Sequence, residues 1–206
     1  MPVWLVHPTV MAEAGAAVVW LSANLIALAR RPGTALGWYT AAGVVEGVLA
    51  IIWGVSHHQA AWWAIGVVWI AAKGGVVPRW LGGALPADRW ELVAAGTPRL
   101  MLGSALLAVV AIAAAGPAGL ALAALATPFW LLTQRRELWV AAVLLLEAEV
   151  ALGFVALGAH VAPAAADVLD VAEVVWATGL LAWLLRRGRL DWDEPIHTTA
   201  LRRLRG

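Results

Sequence analysis

Five ionisable side chains, Glu46, Lys73, Glu147, Glu149 and Glu173, each fall near the middle of a long apolar segment. A charge at the centre of a membrane-spanning helix costs about 3 kcal/mol on insertion scales, so five cost about 15 kcal/mol, the size of a whole domain's stability. They cannot all face lipid. Such groups must be neutralised, paired or turned toward protein and water, and a chain of them is the usual material of a proton path. The plainer reading is polar glue between helices.

The elements that hold these residues follow from composition. Hydrophobic residues make up 63% of the 206 and charged ones 13%, against about 25% charged in soluble domains. The chain is therefore expected to be an all-α integral membrane protein. Apolar runs at about 9–29, 35–55, 60–81, 100–116, 118–133, 137–159 and 163–185 predict seven transmembrane helices. Of the 14 Lys and Arg, Lys73 is the only lysine, and the arginines fall in alternate connections: Arg30 and Arg31; Arg79, Arg89 and Arg99; Arg135 and Arg136; Arg186, Arg187, Arg189 and the tail. That bias predicts the N-terminus outside and the C-terminus cytoplasmic. Met1-Pro2-Val3-Trp4 has neither a basic n-region nor a small-residue cleavage site, so no removable signal is expected.

Other global features mainly exclude. A net charge of +1 gives no general attraction to nucleic acid, and the absence of cysteine removes disulfides and cysteine-ligated iron–sulfur clusters. Most of the 14 Trp, among them Trp4, Trp38, Trp53, Trp62, Trp63, Trp80, Trp90, Trp130, Trp139 and Trp183, sit near segment ends, as an interfacial belt would. His57, His58 and His160 lie at outer helix ends with no metal-ligand spacing.

The predicted spans bring Glu46, Lys73, Glu147, Glu149 and Glu173 to one level of the membrane, at a rise of about 1.5 Å per residue. Asp170 and Asp167 follow Glu173 at three-residue spacing, a ladder from the outer mouth toward the centre. Glu147 and Glu149 point about 200° apart on their helix, so one is expected to face the seventh helix and the other elsewhere, such as a neighbouring subunit. A buried lysine can lose its proton and an arginine effectively cannot, so Lys73 marks a site that changes charge; snorkelling toward the interface is the alternative. Gly74 and Gly75 follow it, and Pro78 is expected to loosen the helix.

Gln134-Arg135-Arg136-Glu137-Leu138, leading into a helix with Glu147 and then one with Glu173, resembles the small three-helix K-type subunit of respiratory complex I and the C-type subunit of multisubunit cation/proton antiporters. Gly188, Leu190-Asp191 and Leu204-Arg205-Gly206 resemble the tail of the same group. Over most of the chain, with Gly37-Trp38-Tyr39 and Lys73-Gly74-Gly75-Val76-Val77-Pro78 in its first half, the sequence is similar to the hydrogenase-4 membrane component E family. It departs from that pattern after the first acid, where Ala148 and Glu149 stand, so Glu147 and Glu149 both remain candidates for the working acid.

The resemblance implies a four-helix half at 1–116, a K-like three-helix half at 117–187 and a cytoplasmic tail at 188–206. It implies a non-catalytic membrane subunit of a redox-driven ion-translocating complex in a prokaryotic inner membrane. Glu147 and Glu173 would exchange protons or sodium ions, Lys73 and Glu46 would form a second pair, and Asp170 and Asp167 an outer exit. Partners would be antiporter-like and core membrane subunits with peripheral redox subunits. Iron–sulfur clusters and a nickel–iron or other redox centre would reside in those partners, with no cofactor in this chain. Two alternatives stand beside this: a non-conducting adaptor at the seam of such a complex, and a self-sufficient small-solute transporter.

Overall fold

A computed structural model of the chain describes residues 8–84, 97–116, 118–134 and 138–158, with 175, 178–180, 182 and 183. Among the described residues every element is helical. We number them α1 (Pro8–Leu28), α2 (Pro32–Ser56), α3 (Ala60–Gly82), α4 (Thr97–Ala115), α5 (Ala118–Gln134) and α6 (Leu138–Gly158). Val10–Leu28, Pro32–Ser56, Ala60–Gly82 and Pro98–Ala115 are long and apolar enough to cross a membrane. Most of the seventh expected span, with Asp167, Asp170 and Glu173, and the tail 188–206 lie outside the described residues.

Local chemistry explains the ends. α2 begins earlier than its apolar run because Pro32 opens it, where a missing N–H costs nothing and the fixed φ is already helical. The α4–α5 hairpin turns at Gly116, whose φ of +61° is left-handed and whose N–H reaches the Ile112 carbonyl at 2.8 Å. In a regular α-helix the Pro78 ring would press on the Gly74 carbonyl. Here α3 widens instead into one π turn, Ala72–Val76, in which the Val77 N–H bonds back to the Ala72 carbonyl. The expected loosening of this helix therefore takes the form of a π turn with Lys73 inside it.

α1, α2 and α6 pack against one another, α3 lies along α2, and α5 packs on α1 and α6 with α4 outside it. Since α1 packs on both α5 and α6, the described parts of 1–116 and 117–187 share one core. The α2–α3 contact is backbone to backbone: a Cβ on Gly47 would stand 2.6 Å from the Gly66 carbonyl oxygen, and one on Gly66 2.5 Å from that of Gly47. Small residues that let helices approach this closely are the main source of packing where both helices are apolar on all sides. By contrast α4 leaves Leu102, Leu106, Val109 and Val110 more than half exposed.

The tryptophan belt is only partly realised. Trp38, Trp63, Trp80 and Trp183 are exposed, but Trp53, Trp62 and Trp139 are buried among the helices and belong to the core. Segment-end position alone does not separate an indole facing lipid from one packed under a neighbouring helix.

Candidate functional site

Lys73, Glu46, Tyr39 and Glu147 are among the largest fully buried side chains of the molecule. Its centre is therefore polar. The Lys73 Nζ lies 2.5 Å from Glu46 Oε2 and 2.9 Å from Glu149 Oε2, so one ammonium from α3 is held between carboxylates from α2 and α6. Lys73 and Glu46 are at most 1% exposed, whereas Glu149 is 26% exposed and opens the cluster on one side. Trp69, one turn before Lys73, sets its ring 5.0 Å from the ammonium, a cation–π contact. Snorkelling is thus overturned: Lys73 reaches across to two acids and not toward a helix end.

Two glycines make room for the cluster. A Cβ on Gly43 would stand 2.6 Å from the Lys73 Cβ, and one on Gly153 of α6 would overlap Glu46 Oε1. Gly43 lies three residues before Glu46 on α2, so the lysine stem crosses the helix surface beside the acid it pairs with. Neither position takes a larger side chain without moving a charged group.

Glu147 points the other way, as its spacing from Glu149 demands. It is fully buried and accepts a hydrogen bond from the Ser22 hydroxyl of α1. Each of the two acids has a partner inside the chain, Lys73 for Glu149 and Ser22 for Glu147, while Glu173 on the seventh helix, which one of them was expected to face, lies outside the described residues. Nearby on α1, Ser104 of α4 donates to Asn24 Oδ1 at 2.6 Å, and Asn24 donates to the Trp20 carbonyl at 2.7 Å, closing a separate neutral network.

Tyr39 sits seven residues before Glu46 on the same face of α2, fully buried, with a hydroxyl that makes no hydrogen bond among the described residues. Sequence reading gave a chemical role to neither Tyr39, met only within the Gly37-Trp38-Tyr39 resemblance, nor Ser22. The signal for Tyr39 was present, since it is the chain's only tyrosine and falls at helical spacing from Glu46. For Ser22 there was none, a lone hydroxyl in an apolar helix having many possible partners.

Of the other candidates, His57 stacks on Trp53 with ring centroids 3.6 Å apart at the end of α2. Glu173, Asp170 and Asp167 lie outside the described residues. Among the described residues no group of three His, Cys, Asp or Glu is placed to hold a metal ion.

Two carboxylates and one ammonium leave the Glu46–Lys73–Glu149 cluster one unit of positive charge short of balance. A proton on either acid restores it and leaves the lysine paired with the other. Proton exchange is the chemistry such a trio can perform, because each gain or loss redistributes the ion pairs without isolating a charge. The chain matches no family model, no curated protein and no solved structure.

Proposed function

We propose that this chain is a seven-helix membrane subunit, N-terminus outside and C-terminus cytoplasmic, of a complex I-like or group 4 hydrogenase-like assembly in a prokaryotic cell membrane. Redox chemistry in partner subunits drives protons or sodium ions through such an assembly. The observation that carries the reading is the buried lysine between two carboxylates from different helices. A lysine used only for topology would lie near a helix end, and a purely adhesive contact needs no group that can change charge.

In this reading the Lys73 cluster is the exchange site of the described helices. A proton entering at Glu149, the more exposed member, lets Lys73 move onto Glu46, and its departure restores the trio. Glu147 is a second acid reached past Tyr39, and Glu173, Asp170 and Asp167 continue the path outward as the resemblance implies. The partners are the antiporter-like and core membrane subunits, with the redox centres in peripheral subunits.

The test is to purify the native protein in mild detergent, identify what travels with it, and measure proton uptake by the reconstituted assembly. Companion redox subunits and an uptake lost in Lys73→Arg support the proposal. A chain that travels alone and transports ions by itself sinks it, as does normal uptake by Lys73→Arg. A second reading, a non-conducting adaptor, is favoured by one observation: Glu147 and Glu149 each meet a partner within the chain, as structural polar contacts would. It predicts that Glu149→Gln alters assembly without altering uptake per assembled complex.

A further inference from the structure

At the α1–α2 connection a cleft of about 460 Å³ opens between Leu25 and Leu28 of α1, Arg30 and Arg31 of the connection, and Thr34 and Trp38 of α2. Both arginines are exposed, and neither forms an ion pair among the described residues. The amides of Thr34 and Ala35 already bond the Arg31 carbonyl, at 3.1 and 3.2 Å, so recognition of an anion falls to the two guanidinium groups and the Thr34 hydroxyl. Leu25 and Leu28, three residues apart, share one face of α1 and give the cleft an apolar wall leading away from the arginines. Across from that wall Trp38 is 40% exposed, one turn beyond Thr34.

A paired positive charge at one end and hydrocarbon with an indole at the other fit one occupant better than any soluble anion. We infer that the cleft is a binding site for an anionic phospholipid. Its phosphodiester is held by Arg30, Arg31 and Thr34, and an acyl chain lies along Leu25 and Leu28. Guanidinium forks match phosphate oxygens in pairs, and the indole suits the headgroup level. The bias of arginine toward one side of a membrane accounts for the sign of residues 30 and 31, but such a bias needs neither a cleft nor an exposed indole beside them. The site stands on the chain's membrane character alone and not on what assembly it joins.

The experiment is native mass spectrometry of the delipidated full chain in detergent, titrated separately with phosphatidylglycerol, phosphatidylcholine and inorganic phosphate. Phosphatidylglycerol should be retained preferentially. Arg30→Gln with Arg31→Gln should lower its retention about thirtyfold, each arginine near an anionic headgroup being worth about fivefold. Arg79→Gln with Arg99→Gln, also exposed arginines, should leave it unchanged. Arg30→Lys with Arg31→Lys keeps the charge that guides insertion but removes the fork, and should lose several-fold in a fully folded protein. Equal retention of phosphatidylcholine, or unchanged retention in the Gln pair, overturns the inference. Competition by inorganic phosphate at equal concentration makes the site one for soluble anions and overturns it too. So does a gain in lipid retention on neutralising Asp191, Asp193 and Glu194, which would make the chain's own acidic stretch at 191–194 the occupant.

Discussion

Two acids on one helix, two residues apart, have different fates. Glu149 meets the Lys73 ammonium at the junction of α2, α3 and α6, whereas among the described residues Glu147 hydrogen-bonds only the Ser22 hydroxyl between α1 and α6. The first region rests on close backbone packing, with Gly43, Gly47 and Gly66 bringing α2 and α3 together, and can hold a full charge because a counter-charge is built in. The second offers Glu147 one hydroxyl, which orients a carboxyl group but does not neutralise it. Burial alone therefore does not decide what charge an acid can hold. The chemistry of the group it meets does.

The largest effect that can break this comparison is loss of the counter-charge. Lys73→Met leaves Glu46 and Glu149 uncompensated and should destabilise the fold by about 3 kcal/mol or more, read from unfolding in mixed micelles. Adding Glu46→Gln to it should restore part of that loss. No recovery in the double variant means that the two do not act as a pair. Next, Gly153→Ala forces the Glu46 carboxyl group to shift and should cost about 1–3 kcal/mol by overpacking. A variant as stable as the parent removes Gly153 from the site.

The acids themselves give a smaller and sharper contrast. Glu149→Gln takes one carboxylate from Lys73 and should cost about 1–2 kcal/mol, whereas Glu147→Gln, which still accepts the Ser22 hydrogen bond, should cost under about 1 kcal/mol. The reverse order would make Glu147 the charged member. Ser22→Ala should cost about 0.6 kcal/mol, typical of a hydrogen bond between membrane helices. Smallest in stability is Tyr39→Phe, within about 0.5 kcal/mol because the hydroxyl has no hydrogen-bond partner among the described residues. Its effect should appear instead in proton uptake by the assembled protein, slowed if Tyr39 links the two acid sites and unchanged if it only packs.

Much of the frame was legible from residue order. Segment lengths and apolarity marked the described helices, the break between 116 and 118 the hairpin turn, and Pro78 a local disturbance, since backbone sterics act within a few residues. The two-residue spacing of Glu147 and Glu149 required them to diverge, and Lys73 was marked by being the only lysine. What could not be read was which neighbour each would meet. α2, α3 and α6 are apolar nearly all round, so periodicity shows no face that must turn inward, and the rotation of each helix is set by contacts with the others.

The sequence by itself therefore determined the helical character of the described segments, their apolarity, and the placing of ionisable residues within them. Only the tertiary structure decided that Lys73 lies between Glu46 and Glu149, that Glu147 turns to Ser22, and that Tyr39 is fully buried. The physical reason is one of range. Helix formation and hydropathy are sums over neighbours in sequence, whereas an ion pair between residues 46 and 73 exists only once glycines on facing helices let the backbones meet.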